Sequence, residues 1–297
     1  MAKTRKTTTK KCKTKKCHFI SLCKKYIMVK NLDRVIKTTW LQKNNCNVFL
    51  IGEVHRPHQK CIPLIDMFKN LVQHASTIDI DLFVEIFQHD TVHLLDDYKV
   101  PKKDSQINHV RKYFNKCFTE HNCPMRIHWA DPTQTNLQKN IAPWLIELSK
   151  YSFTFFTNAW FKNKKITSFF NKEQDIPRLL TDNRIIVKEI GKASMVNKHF
   201  TLDFATKLFM EFYFKNKEKF IKAYNKFNWT HLVTVQLRFV IDFYVAARII
   251  KSNMKHVIYY AGYAHTNNIT TILNALDFKT MELVNGNCYD PVDVSFF

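Results

Sequence analysis

Asn47-Val48-Phe49-Leu50-Ile51-Gly52-Glu53-Val54-His55 is the stretch on which the fold turns. An apolar run too short for a helix stops at a glycine, and an acid and a histidine follow. The phrase returns at Val257-Ile258-Tyr259-Tyr260-Ala261-Gly262-Tyr263-Ala264-His265. Both copies predict a buried strand ending in a tight turn that presents a histidine. The chain holds only four glycines in 297 residues, so each is expected where a side chain would clash.

Working outward, further strands are predicted over Ile80–Glu85, Met125–Ala130 and Thr280–Val284. Helical periodicity lies between them, from Gln59 to His74 and from Ser105 to Phe118. Strands that are apolar on both faces, alternating with helices, belong to a parallel sheet covered on both sides. From about residue 133 to 253 only helical periodicity is visible. Its best case is Thr230–Lys251, with Leu232, Val235, Phe239, Phe243, Ala246 and Ile250 at helical spacing. The expected fold is therefore α/β, a mainly parallel central sheet flanked by helices, with a helical insertion or cap between the sheet halves. Residues 26–297 read as one such domain. The aromatic-rich stretch Tyr151–Phe170 is read as core packing within the insertion.

Residues 1–25 are Lys/Thr-rich and are expected to be a disordered basic tail. The first 30 residues carry eleven of the 46 basic side chains and no acid; 35 bases against 25 acids remain, an excess of ten. About half of the formal charge of +21 is thus terminal. The patch Lys10-Lys11-Cys12-Lys13-Thr14-Lys15-Lys16 would suit a nuclear address or a polyanion or nucleic-acid contact. A basic nucleic-acid-associated protein is therefore one reading of the chain, although its body carries no nucleic-acid-binding motif. No run reaches the roughly 18 apolar residues of a membrane span, and lysines interrupt any signal-type apolar region at the start. The expectation is an intracellular protein, cytoplasmic or nuclear, and not secreted. Eight cysteines with no CxxC pair fit free thiols.

In a parallel sheet, residues just past the strand ends gather at one edge, where ligands bind. That edge would collect Glu53 and His55, Glu85, Asp131 and His265. Glu85 closes an otherwise apolar strand, where an unpaired carboxylate would be costly. Two histidines with two or three carboxylates can bind a divalent metal and activate its water. They can equally act without metal, a carboxylate or imidazole serving as general base. Asp242, inside an apolar helix, either reaches this site or pairs with Arg238 one turn away. The chain has no His-Glu-x-x-His, Gly-x-Ser-x-Gly or phosphate-loop motif.

The paired Gly-x-x-His phrases, the Gly-Glu-x-His form of the first, and a glutamate ending the next strand resemble the superfamily of Tiki, TraB/PrgY, ChaN and erythromycin esterase-like proteins. Leu180-Thr181-Asp182-Asn183-Arg184 resembles that superfamily's arginine-bearing helix, although the order of residues departs from its usual pattern. The likeness spans about residues 44–285 and rests on four short motifs. It implies a hydrolase acting on a peptide or ester bond of a small-molecule or peptide substrate, with metal-assisted water activation. His55, His265 and Glu85 would be the metal ligands, with Mn, Co or Zn as the ion. Glu53, Glu85 and Arg184 would be catalytic, Arg184 orienting a carboxylate or stabilising an oxyanion. Haem, or another ligand held without turnover, is the alternative the resemblance allows.

Overall fold

The computed structural model describes residues 15–54, 61–74, 80–87, 106–119, 123, 125–131, 174, 176–181, 184–223, 229–252 and 254–287. The chain runs α1 (Lys15–Tyr26), β1 (Val35–Lys43), β2 (Cys46–Glu53), α2 (Leu64–His74), β3 (Ile80–Phe87), α3 (Gln106–Thr119) and β4 (Met125–Asp131). It continues through α4 (Arg178–Thr181), α5 (Arg184–Ser194), α6 (Leu202–Ala223), α7 (Trp229–Lys251), β5 (His256–Gly262), α8 (Tyr263–Asn274) and β6 (Lys279–Asn285). The six strands form one sheet in the order β4-β3-β5-β2-β1-β6. β4, β3, β5 and β2 run parallel, while β1 is antiparallel to both β2 and β6. The fold is α/β with a mostly parallel sheet, and every strand predicted from sequence is present. β1 is an addition. It folds back on β2 through Asn44-Asn45, Asn44 taking a left-handed φ of 51° that asparagine tolerates.

Side chains alternate across the sheet, so each strand feeds two cores. Phe49, Ile51, Leu82, Val84, Ile258 and Tyr260 face a layer made by α1, α2 and α3. Leu50, Phe83, Ala130, Val257, Tyr259 and Ala261 face the layer of α4–α8. Among the described residues, the stretch between β4 and β5 is helical, and these helices share one face of the sheet with α8. The predicted aromatic stretch Tyr151–Phe170 lies outside the described residues.

Two expectations about the N-terminal region and the cysteines meet a different structure. The basic tail, expected to run to residue 25, is helical from Lys15, and Phe19, Leu22 and Cys23 of α1 are buried in the core. Lys24, one of the tail charges, reaches Glu282 of β6 at 2.9 Å. Apolar residues at 19, 22, 23 and 26 give α1 a helical stripe that docks it on the sheet. Cys23, Cys46, Cys117 and Cys123 are free thiols as expected, but Cys61 is disulfide-bonded. Wide spacing in sequence does not prevent approach in a folded chain, which is why a missing CxxC could not foretell it.

Only two of the four glycines sit where a side chain would clash. A Cβ on Gly52 would collide with Thr266 Oγ1 and lie 3.1 Å from Tyr263 Cα in the first turn of α8. One on Gly286 would strike the Val35 carbonyl. At Gly262 a Cβ would meet ordinary contacts of 3.5 Å and beyond, and at Gly191 nothing. Gly52 does not turn the chain as the sequence suggested, because β2 runs on through it to Glu53; it lets the helix of the second Gly-x-x-His phrase seat directly on the strand of the first.

Candidate functional site

β3 and β5 are neighbours in the sheet, yet their onward connections diverge. β3 leads to α3 and β4 on one side, and β5 leads to α8 and the β1–β6 half on the other, over the opposite face. Adjacent strands that part in this way open a crevice at their carboxyl ends. Glu85 stands two residues before the end of β3, and Gly262-Tyr263-Ala264-His265 carries β5 straight into α8. The two strands thus bring Glu85 and His265 together.

The contact is direct. His265 Nε2 lies 3.1 Å from Glu85 Oε1, and His265 Nδ1 lies 2.6 Å from Asp242 Oδ1 on α7. Glu85 Oε2 accepts the Gly262 backbone N–H at 2.7 Å. Asp242 Oδ2 accepts the Asn268 side-chain amide at 2.8 Å, one turn beyond His265 on α8. The Glu85 side chain is 17% exposed, His265 10% and Asp242 fully buried. The line therefore opens to solvent at Glu85 and closes inside the protein at Asp242.

The charges follow from this burial. Burial works against a charged His265 ring, but Glu85 and then Asp242 outweigh it and hold the imidazole pKa well above its ordinary value. Burial pushes the Asp242 carboxyl up, with the His265 ring and the Asn268 amide pulling the other way. The ring is thus a proton held between two carboxylates, one reachable from water and one sealed.

Glu53 is elsewhere. It shares the parity of Phe49 and Ile51, so it faces the α1–α3 layer, where it is 2% exposed and accepts the Tyr260 hydroxyl. Arg34, also buried, lies close enough to act on Tyr260 electrostatically. The sheet therefore stands between Glu53 and the Glu85–His265 pair. His55 and His58 lie outside the described residues. The backbones of Asp131 and Arg184 end β4 and begin α5, but their side chains are outside what is described.

A metal can be tested against these positions. Two ligand atoms about 2.1 Å from a common zinc ion in tetrahedral geometry stand about 3.4 Å apart, against 3.1 Å between His265 Nε2 and Glu85 Oε1. The Nδ1 bond to Asp242 is the arrangement that fixes a ligating imidazole by its far nitrogen. Among the described residues no third His, Cys, Asp or Glu completes a metal group. His265 and Glu85 would supply at most two positions of a metal site.

Sequence reasoning reached Glu85 and His265 and left Asp242 open between two partners. It missed Asn268 and the Gly262 N–H. An acid inside an apolar helix was the available signal for Asp242; Asn268, one turn after a candidate histidine, offered none stronger than spacing. Among the described residues no helix is long and apolar enough to cross a membrane. No family model, curated protein or solved structure matches the chain.

Proposed function

We propose that this chain is a hydrolase acting on an ester or peptide bond, with Glu85 and His265 as its acid–base pair. The observation that carries the reading is the hydrogen-bonded line Glu85–His265–Asp242 at the carboxyl edge of the sheet. It is supported by the resemblance of the Gly-x-x-His phrases to the Tiki and erythromycin esterase-like superfamily.

Glu85, the exposed end of the line, takes a proton from a water molecule as that water adds to the substrate carbonyl. The Gly262 N–H on Oε2 keeps the carboxylate aimed while its other oxygen faces the ring. His265, held protonated between its two carboxylates, gives its Nε2 proton to the leaving oxygen or nitrogen. The proton on Glu85 then crosses to Nε2 and restores the starting state. Asp242 accepts from Nδ1 and fixes the orientation of the ring. A divalent ion held by His265 Nε2 and Glu85 would supply Lewis-acid activation of the same water.

The test is a panel of chromogenic esters and peptides assayed with wild type, Glu85→Gln, His265→Asn and Glu53→Gln, alongside elemental analysis after incubation with Mn²⁺, Co²⁺ and Zn²⁺. Glu85→Gln and His265→Asn are expected to lower turnover about 10²–10⁴-fold. Glu53→Gln, on the other face, should stay within a few-fold. Near one metal equivalent in wild type and none in His265→Asn would establish the metal-assisted form. Turnover that survives His265→Asn would refute the assignment. Stoichiometric metal or haem with no turnover across the panel would make this a ligand-binding protein.

A further inference from the structure

A second polar cluster lies on the same face of β3 as Glu85, four residues back along the strand. Asp81, its side chain 2% exposed, accepts Arg126 Nε and Nη2 at 2.7 and 2.8 Å and His128 Nε2 at 2.8 Å. Ser252, just past the end of α7, donates its hydroxyl to Asp81 Oδ2. Arg248 Nη2 lies 2.9 Å from His128 Nδ1. Arginine is only a donor, so Nδ1 accepts and the Nε2–H is left for Asp81. The Arg248 guanidinium also sits 5.4 Å from the Phe83 ring centre and 5.5 Å from that of Tyr244, and its Nη1 donates to the Tyr244 hydroxyl at 3.1 Å.

These contacts make a ladder. Asp81, Phe83 and Glu85 are successive residues on one face of β3. Against them α7 sets Ser252 on Asp81, Arg248 on Phe83, and Asp242 on the His265 that Glu85 holds. Helix and strand therefore run antiparallel. Ten helical residues, 242 to 252, rise about 15 Å, and four strand residues, 81 to 85, rise about 13 Å. The spacings match, so all three rungs can be made at one position of the helix. Elsewhere α7 packs Phe239 and Phe243 on Phe209 and Phe212 of α6 and pairs Lys251 with Glu189 of α5; Ser252 and Arg248 supply its polar contacts to β3 and β4.

We propose that Ser252 and Arg248, anchored on Asp81 and His128, are positioning residues for the candidate site: they fix the axial setting of α7, and through it the Asp242 that orients His265. The inference rests on reading Glu85 and His265 as the site, but it concerns geometry and can be tested without turnover. Arg126 supplies the internal contrast, because it bonds to Asp81 from β4.

The experiment compares Ser252→Ala, Arg248→Met and Arg126→Met in the full chain. The readout is the carbon–proton cross-peaks of the His265 ring in histidine-labelled protein, assigned by their loss in His265→Gln. Thermal midpoints are measured beside them. Ser252→Ala and Arg248→Met are expected to move the His265 peaks well beyond line width. Arg126→Met is expected to lower the midpoint and leave the peaks in place. Where a substrate is in hand, the first two variants should lower kcat about tenfold with KM held, and Arg126→Met should not. Unchanged His265 peaks in the α7 variants would overturn the proposal, as would equal displacement in all three. Should Arg248→Met fail to fold, Ser252→Ala, a loss of one hydroxyl, decides the matter alone. A hydrolase reading that failed for want of any substrate would leave the peak positions as they are, so the two failures are distinct.

Discussion

Gly52→Ala tests how the two halves of the candidate site are seated on each other. The new methyl would collide with the Thr266 hydroxyl and stand 3.1 Å from Tyr263 Cα and 3.4 Å from the Lys37 carbonyl. Thr266 is 4% exposed and its hydroxyl already donates to the Tyr263 carbonyl at 3.0 Å, so it has no free space to turn into. Overpacking of this kind costs about 1–3 kcal/mol. Replacing glycine returns about 0.5 kcal/mol by restricting the unfolded chain, leaving a net loss of about 0.5–2.5 kcal/mol. Thr266→Ala should cost about 1–2 kcal/mol on its own, for one buried methyl and one local hydrogen bond. It also removes the colliding oxygen. The double variant should therefore be less destabilised than the sum, with a coupling of about 1–2 kcal/mol. Urea denaturation of the four proteins measures the cycle. Additivity to within about 0.5 kcal/mol would refute the close seating of α8 on β2 and with it the link between the two Gly-x-x-His phrases.

Two further outcomes are expected. In Asp81, burial alone would raise the carboxyl; hydrogen bonds from His128, then Arg126 and Ser252, outweigh it and hold the pKa well below the usual carboxylate range. A depressed folded pKa gives stability that is present above the unfolded value of about 3.9 and is lost as pH falls toward the folded one. The urea midpoint of wild type should drop below about pH 4 more steeply than that of Asp81→Asn, which should be the less stable protein at pH 7; parallel curves would contradict the burial of this ion cluster. Phe19→Ala should cost about 3 kcal/mol, since Phe19 is wholly buried against Phe49 and His256; a thermal midpoint unchanged from wild type would show that α1 is not part of the core.

β2 and β5 were legible because each is buried on both faces and reads as an apolar run, whereas β6 is mostly exposed and offers only the short Leu283-Val284 pair. β1 was not, for a local reason. Its residues Val35-Ile36-Lys37-Thr38-Thr39-Trp40 do not alternate, and the register slips between Val35 and Lys37 against β2 and again between Trp40 and Leu41 against β6. Two irregularities in nine residues erase a period-two signal. α1 was hidden by its lysines, which swamp the Phe19, Leu22, Cys23 and Tyr26 stripe in any composition count. Glu85 and His265 could be read from strand ends alone. That Glu53 faces the other layer could not, because parity within a strand says which residues share a face and not which layer that face meets. Asp81 and Glu85 stand on one parity in Ile80-Asp81-Leu82-Phe83-Val84-Glu85, so their common face was available to the eye, whereas the helix that meets both comes some 160 residues later and needed the fold.

The place of β5 between β2 and β3 has a consequence for how the protein is made. β2 pairs with β1 and β3 with β4, each within a short length of chain, but among the described residues no strand pairing joins the two pairs until β5 arrives between them. About 200 residues separate β2 from β5, roughly 10–40 s of synthesis at cellular rates. For that time Val48, Phe49, Leu50 and Ile51 belong to a strand with one open edge, the kind of surface that recruits a wrong partner. The nascent chain should depend on chaperones most while the helices between β4 and β5 are emerging. The crevice at Glu85 can come into being only after β5 has emerged, once the strand that leads into the His265 helix has closed the sheet.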